Sequence, residues 1–289
     1  MRFSIWPSTG RPWGEILELA RHFEAAGWDG LYLADHFMLH GDLTDPQADQ
    51  SVPLDGDKLE CWSVLAALAA TVPRLRLGTL VSSVTFRHPA VLANMAAAVD
   101  NISDGRLVLG IGAGWQLNEH VAYGLELGSP KERLDRFEEA CQVITSLLRE
   151  RRTTYAGTYF TVTDAPNQPA PVQTPLPLLI GGGGEKRTLR LVARYADEWN
   201  IWSTPEVLAQ KLGVLREHCE AIGRDPATIA PSTQMAGLLA RPTSEVQETV
   251  GRFRDAGAAE LVIPDPMVPM KEWRDMCDEF LEQVAADFR

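Results

Sequence analysis

One histidine in this sequence has the position and the chemistry for proton transfer. His36 follows a short apolar run that ends at Leu33, and it begins a long polar loop. An imidazole titrates near neutral pH, so it can donate or accept a proton during a reaction. A lone histidine at the start of a loop is more often structural or exposed, and that alternative stays open. No metal site is expected, because H-x-H and H-E-x-x-H spacings are missing and the neighbouring Asp35 points to the other side of a strand.

Four consecutive glycines are the second feature that could do chemistry. They stand between a predicted strand and a predicted helix: Gly181, Gly182, Gly183 and Gly184. A backbone without side chains can approach a ligand closely, and the N–H groups that begin a helix favour a phosphate. Lys186 and Arg187 oppose the dipole of that helix and are expected there if an anion binds. The sequence therefore predicts a phosphate site, with a tight flexible turn as the alternative.

The sequence lacks the common nucleotide-binding and hydrolase motifs. A G-x-G-x-x-G motif would need glycine in place of Lys186, and the repeat from Gly110 to Gly114 has Trp115 where the third glycine belongs. Neither a Walker loop nor a G-x-S-x-G elbow is present. An open nucleotide-binding sheet and a serine hydrolase are therefore disfavoured.

Tryptophans gather near the ends of predicted strands. Trp6, Trp115, Trp199 and Trp202 are four of the eight tryptophans of the chain. Aromatic walls suit a flat conjugated ligand. We predict that Trp6, Trp115 and Trp202 line a substrate pocket, and the alternative is that bulky residues simply fill the mouth of a barrel.

Strands and helices alternate strictly along the chain, and this alternation must position those residues. Periodicity predicts eight strands: 3–6, 29–33, 75–81, 106–111, 178–180, 198–201, 228–235 and 260–263. It also predicts eight helices: 13–26, 60–70, one around 91–99, 134–148, 185–195, one from 204, one from 244 and one at 273–284. Because parallel strands need crossover connections, we predict an α/β fold, a (β/α)8 TIM barrel in a single domain of residues 1–289. The active site of such a barrel lies at the C-terminal ends of the strands.

Three local features accompany the predicted barrel. An insertion at about 152–177, between the fourth helix and the fifth strand, is expected to form a hairpin around Gly157 and an extended proline-rich segment. Ser244 and Gln247 are predicted as a capping box. The loop of residues 38–58 is predicted as a lid or rim, or else as a solvated surface loop, and it contains five aspartates: Asp42, Asp45, Asp49, Asp55 and Asp57.

Composition excludes several classes of protein. The 289 residues carry a net charge of −12, from 27 Lys and Arg against 39 Asp and Glu, so nucleic acid and anionic membranes are not expected partners. No apolar run reaches the roughly 20 residues of a membrane span, and the N-terminus does not resemble a secretory signal. The four cysteines form no C-x-x-C pair, which favours a reducing, cytoplasmic location.

Several short strings together resemble one family. These are A-D-H-F from residue 34, T-F-R-H-P-A from 85, G-I-G-A-G-W from 110, and G-G-G-G-E-K-R from 181 with A-D-E-W-N from 196. The chain resembles the bacterial luciferase-like (β/α)8 flavin and deazaflavin oxidoreductases, and among them the subgroup that depends on coenzyme F420. The similarity extends from about residue 3 to about residue 263.

The resemblance implies roles for individual residues near the cofactor ring. Asp35 and His36 would lie at the ring as catalytic residues, and Ser83 and Asn118 would bind its edge. The four glycines and Lys186 would hold the phosphate. A cis peptide bond between Leu80 and Val81 would lie beneath the ring.

The resemblance also implies a reaction and leaves alternatives. The expected function is hydride transfer between F420 and a small organic substrate that the sequence does not identify. Trp115 stands where the sugar-phosphate dehydrogenases of this family carry a catalytic glutamate, which disfavours glucose-6-phosphate and suggests a less polar substrate. A monooxygenase that uses reduced FMN and dioxygen is the first alternative, and a flavin-binding protein without turnover is the second. A homodimer is expected from the resemblance alone.

Overall fold

Parallel strands and helices alternate through the parts of the chain that the computed structural model describes, residues 1–41 and 49–289. The strands are β1 (Arg2–Trp6), β2 (Gly30–Leu33), β3 (Arg76–Thr79), β4 (Ser82–Ser83), β5 (Leu107–Gly112), β6 (Arg152–Ala156), β7 (Thr161–Pro166), β8 (Leu178–Gly181), β9 (Glu198–Trp202), β10 (Ala230–Gln234) and β11 (Glu260–Pro264). The helices are α1 (Trp13–Ala26), α2 (Cys61–Thr71), α3 (Pro89–Ser103), α4 (Leu117–Ala122), α5 (Pro130–Arg149), α6 (Thr188–Tyr195), α7 (Pro205–Glu220), α8 (Thr243–Ala256) and α9 (Met270–Gln283).

The parallel strands close into a barrel. Each strand pairs with its neighbours in the order β3-β2-β1-β11-β10-β9-β8-β5, and β3 also pairs with β5, which completes the circle. β4 continues β3 beyond a bulge and pairs with the end of β5. The (β/α)8 TIM barrel predicted from the sequence is confirmed. The antiparallel pair β6 and β7 forms a separate hairpin inside the segment predicted as an insertion.

A bulge interrupts the strand that the sequence predicts at 75–81. β3 ends at Thr79, and the peptide bond between Leu80 and Val81 is cis, as the resemblance implied. Gly110 lies so close to the carbonyl group of Thr79 that a side chain there would collide with it. A Cβ atom on Gly181 would lie 2.9 Å from Val81, so glycine is needed on this side of the bulge too.

Charged residues close the end of the barrel at which the strands begin. Arg2 lies 3.0 Å from Glu260, and Arg76 pairs with both Glu260 and Glu198. Glu260 is fully buried, and it also accepts a hydrogen bond from the hydroxyl of Ser4. Above this layer the interior is apolar and is built by residues from strands on all sides: Tyr32, Leu80, Val108, Leu179 and Val262, packed against Trp6 and Val81. The barrel is therefore filled at the bottom and in the middle.

The sequence predictions for the starts of α6 and α8 are wrong. The helix predicted from 185 begins at Thr188, because residues 185–187 form a turn. The capping box predicted at Ser244 and Gln247 does not form, since Pro242 is the N-cap and Ser244 already lies inside α8. A proline preceding the first helical residue has no side-chain acceptor to offer.

The structure also contains elements that the sequence did not predict. α4 is a helix of six residues that lies in the loop after the fourth barrel strand. Ser129 and Glu132 form a capping box at the start of α5, with Ser129 N 2.8 Å from the Glu132 carboxylate. None of the helices among the described residues is both long and apolar enough to cross a bilayer.

Candidate active site

His36 lies at the C-terminal end of the barrel and is held by a buried carboxylate. Its Nδ1 lies 2.7 Å from Oε1 of Glu119, a residue of α4 that is fully buried. The other oxygen of Glu119 accepts a hydrogen bond of 2.8 Å from the backbone N–H of Phe37. Because a carboxylate can only accept, Nδ1 carries a proton and Nε2 is left to act on a ligand. Nε2 has no hydrogen-bond partner among the described residues.

Two further groups surround this pair. The indole of Trp115 meets the His36 ring edge-on, with the ring centres 5.5 Å apart. Lys58 is close enough to Glu119 for an electrostatic attraction, although burial of the amine has the larger effect and lowers the pKa of Lys58. Glu119 and Lys58 carry no sequence signal beyond their place in loops at strand ends.

Asp35 lies beside His36 in the chain but faces another partner. Its two carboxylate oxygens bind the guanidinium of Arg87, which also lies 2.7 Å from Glu60, the N-cap of α2. Burial raises the pKa of Asp35, and the charge of Arg87 opposes that rise. The ion pair anchors the loop after β2 to the loop after β4. The catalytic role of Asp35 stays a prediction.

Ser83 belongs to a chain of hydrogen bonds that ends at a buried histidine. Its hydroxyl lies 2.6 Å from the hydroxyl of Thr85, and this oxygen lies 2.6 Å from Nε2 of His120. Nδ1 of His120 lies 2.6 Å from the backbone carbonyl of Gln116. A carbonyl only accepts, so Nδ1 carries a proton, and burial lowers the pKa of His120 and keeps the ring neutral.

The direction of that chain follows from the neutral ring. With Nδ1 protonated, Nε2 of His120 accepts the proton of Thr85, and Thr85 then accepts the proton of Ser83. Ser83 is left with lone pairs and presents only an acceptor to a ligand. Gly114 makes room for both hydroxyls, because a Cβ atom at this position, with φ of 84°, would collide with the Ser83 hydroxyl.

Asn118, the second predicted ring-edge residue, has both ends of its amide in use. Its Nδ2 donates to the carbonyls of Leu39 and Val52, and its Oδ1 accepts from Gln116 and from the backbone of Glu119. Asn118 thus binds backbone carbonyls in both described parts of the loop predicted as a lid. In that loop Asp42 and Asp45 lie outside the described residues, and the other three aspartates are exposed.

The glycine run lies at the barrel rim, and of the two cations next to it one is paired with acidic residues and the other is not. Gly182 has a φ of 119°, and its carbonyl accepts a hydrogen bond of 2.8 Å from the buried indole of Trp199. Arg187 does not offer a free charge, because it lies 2.7 Å from Asp135 and also pairs with Glu138. Lys186 is exposed and has no ion-pair partner in the described parts of the chain. It is therefore the cation of this segment that can meet a phosphate.

The predicted pocket tryptophans fall into two groups. Trp6 at the end of β1 and Trp202 at the end of β9 contact each other, with ring centres 5.7 Å apart. Trp115 lies beside His36 and is 46% exposed, and Trp202 is 50% exposed. Trp199, in contrast, is fully buried on the outer side of β9. Large exposed aromatic surfaces at a barrel mouth are typical of a binding site for a flat organic ligand.

The mouth has the features that a flavin or deazaflavin ring requires. Glycines on β5 and β8 let the Val81 side chain of the bulge pack closely against these strands, aromatic faces are exposed at the mouth, and a fixed imidazole is available. Groups of three or more His, Cys, Asp or Glu side chains that could bind a metal ion are not found within the described residues. The exposed aromatic faces and the fixed imidazole suit a flat organic cofactor at this end of the barrel.

Comparison with known proteins agrees with the fold. The sequence model of the luciferase-like monooxygenase family matches residues 1–278, and the chain belongs to this family. It is 37% identical over 203 residues to an F420-dependent glucose-6-phosphate dehydrogenase of Microbacterium testaceum. That match covers 68% of this chain but only 56% of the relative's length.

Solved structures share the whole fold at low sequence identity. An F420-dependent secondary alcohol dehydrogenase in complex with an F420-acetone adduct superposes with a TM-score of 0.84 at 20% identity, covering 99% of this chain and 98% of its own. The monooxygenase RslO1 from Streptomyces bottropensis superposes with a TM-score of 0.80 at 21% identity and covers 100% of both chains. At these identities the likeness establishes the barrel fold.

Proposed function

We propose that this protein is an F420-dependent oxidoreductase that transfers a hydride between the deazaflavin and a small organic substrate. The observation that carries the proposal is the pair of His36 and Glu119, which holds an imidazole at the barrel mouth with Nε2 directed away from its anchor. A hydride transfer to or from an oxygen-bearing carbon needs a matching proton transfer, and a fixed imidazole is suited to it. His36 would hold or release that proton at Nε2.

The choice of cofactor rests on the relatives and on the residues at the mouth. Several relatives at 32–37% identity are named F420-dependent glucose-6-phosphate dehydrogenases. When bound, F420 would supply the hydride donor or acceptor. Leu80 and Val81 would support the ring, Ser83 would accept a hydrogen bond from its edge, and Asn118 would reach it only by exchanging a present partner. Lys186 and backbone N–H groups of the glycine run would bind the phosphate.

The substrate is proposed to differ from that of the named relatives. Trp115 places an exposed apolar ring next to His36, where a sugar phosphate would require polar partners. We infer a less polar substrate. The homodimer and the cytoplasmic location that the sequence suggests are part of the same proposal, and sedimentation of the purified chain measures the first of them.

Titration of the purified protein with F420 and, separately, with FMN tests the cofactor. We expect saturable quenching of F420 fluorescence and weak or no binding of FMN. Binding of FMN without F420, together with oxygen consumption in the presence of reduced FMN, would overturn the choice in favour of the monooxygenase.

A pair of histidine variants tests the proton transfer. His36→Asn should lower kcat by about 10²- to 10⁴-fold and leave the F420 affinity nearly unchanged. His22→Asn is a matched control, because His22 also binds a carboxylate, that of Asp278 at 2.8 Å, and both imidazoles are 22% exposed. Equal activities of the two variants would contradict the role of His36.

A further inference from the structure

Gln234 ends β10 and lies on the inner face of the barrel. In the sheet it is paired with Val262 of β11 and with Trp202 of β9. Paired residues of neighbouring parallel strands share a face, and Val262 packs in the interior cluster together with Leu80 and Leu179. The side chain of Gln234 therefore belongs to the uppermost inner layer, at the floor of the mouth and next to Trp202.

The amide of Gln234 has an acceptor that nothing described satisfies. The side chain is 98% buried, since its exposed fraction is 2%, and Oε1 has no hydrogen-bond partner among the described residues. Ser232, two residues deeper on the same face, binds both Asn200 and the carbonyl of Trp199. Buried polar atoms in native proteins are nearly always paired, so the Oε1 of Gln234 indicates a ligand that brings a donor.

The walls around this acceptor are aromatic. Trp6 ends β1, packs against the interior cluster and contacts Trp202 across the barrel rim. Half of the Trp202 side chain is exposed, so that an apolar ring can pack on it. A polar acceptor beside an exposed indole fits the usual pattern of a pocket in which apolar contacts give affinity and a single hydrogen bond fixes the orientation.

Two arginines on loops after the barrel strands are already neutralised. Arg11, after β1, lies 2.6 Å from Asp265, which follows β11, and it also binds Glu15. Arg87, after β4, binds Asp35 and Glu60. A phosphate or carboxylate of a substrate would therefore find no free guanidinium on these loops. The binding of an uncharged group does not depend on a free guanidinium.

We propose that Gln234 is a substrate-binding residue whose amide oxygen accepts a hydrogen bond from an uncharged aromatic or alicyclic alcohol packed on Trp6 and Trp202. This inference rests on the proposed function, because it places the substrate of that reaction in the same mouth. The indoles select a substrate with an apolar ring, and Gln234 fixes the position of the substrate hydroxyl group relative to the mouth.

Two neutral probes that differ in one donor test the inference. Binding of benzyl alcohol and of benzyl methyl ether is measured by ligand-observed NMR titration, on the full chain with and without F420. The wild-type protein should bind the alcohol about fivefold to tenfold more tightly than the ether, as expected for one net hydrogen bond to a buried acceptor. In Gln234→Met, which keeps the length of the side chain, the ratio should fall to about one. Trp202→Ala should weaken both probes.

Gln210→Met changes an exposed glutamine of α7 and should preserve the ratio. An unchanged ratio in a folded Gln234→Met protein, or no binding of benzyl alcohol to the wild type up to its solubility limit, overturns the inference. A Gln234→Met protein that loses F420 affinity but keeps the ratio would make Gln234 a cofactor contact, which overturns it as well. Because the probes are also measured without cofactor, failure of F420 binding is a separate result that concerns the proposed function.

Discussion

Glu119→Gln is the substitution that examines the candidate site most directly. The carboxylate of Glu119 is fully buried and accepts two hydrogen bonds, one from Nδ1 of His36 and one from the backbone N–H of Phe37. A carboxamide of the same size has one acceptor and one donor. It can therefore satisfy only one of the two N–H groups and must direct its own NH2 toward the other position.

The structure gives the size and the direction of the effect. Losing a buried hydrogen bond to a charged acceptor costs about 1.5–3 kcal/mol in the free energy of unfolding. If the carboxamide donates to Nδ1, the proton of the His36 ring moves to Nε2, and Nε2 can no longer accept a proton. In the direction in which His36 acts as a base, kcat should fall by at least about 10²-fold.

Three measurements on Glu119→Gln check this reasoning. Urea denaturation gives the loss of stability, the ¹⁵N shifts of the His36 ring report which nitrogen carries the proton, and the initial rate of F420 reduction gives kcat. Glu126→Gln is the control: its carboxylate, 78% exposed, pairs with Arg136 on the surface, and the change should stay within about 0.5 kcal/mol. Stability within that margin for Glu119→Gln, with the proton still on Nδ1, would refute the role assigned to the carboxylate.

Three further outcomes follow from the hydrogen bonds around Ser83. Gly114→Ala should reduce the F420 affinity and cost more stability than Gly223→Ala, because both glycines have positive φ but only Gly114 has a side chain in the path of its Cβ atom; thermal melts compare the two. Thr85→Val should weaken F420 binding by about tenfold while Thr85→Ser should not, since only valine removes the hydroxyl between Ser83 and His120; equal affinities would count against the chain. Burial lowers the pKa of His120 below its usual value of about 6.5, so as the pH falls the unfolded chain takes up a proton before the folded chain does. The stability that the neutral ring contributes is therefore present above about pH 6.5 and is lost as the pH falls below that value. His120→Gln should make the denaturation midpoint less dependent on pH between about 5 and 7, and an unaltered dependence would show that other groups cause it.

The alternation of strands and helices made the barrel predictable, whereas short elements escaped the same reasoning. α1 begins and ends where its apolar stripe predicts, at Trp13 and Ala26. α4 has only six residues, and its apolar members Leu117 and Val121 are exposed, so no buried stripe marks it. Because α4 is not predicted, the positions of Glu119 and His120, its two residues that matter most to the site, are not predicted either.

The partners of the site residues could not be read from spacing. Spacing predicts that Arg187 is available to an anion, but α5 brings Asp135 against it from more than 50 positions earlier in the chain. The resemblance implies that Asp35 and His36 both lie at the ring, and in the loop after β2 their side chains bind different partners, Arg87 and Glu119. Sequence spacing does not predict a role for Gln234, because its place beside Trp202 depends on strand register. Sequence patterns give the face on which a residue lies, and long-range packing decides what it meets there.

The charged layer that closes the lower end of the barrel has a consequence for the order of events in turnover. Arg2, Arg76, Glu198 and Glu260 fill the end where the strands begin, so the cofactor ring and the substrate share one route through the opposite end. Of the cofactor and the substrate, the one that binds deeper in the barrel must enter first and leave last. Steady-state kinetics should therefore follow a compulsory-order scheme. The product that leaves last should inhibit competitively against the ligand that binds first, and it should show mixed inhibition against the second ligand.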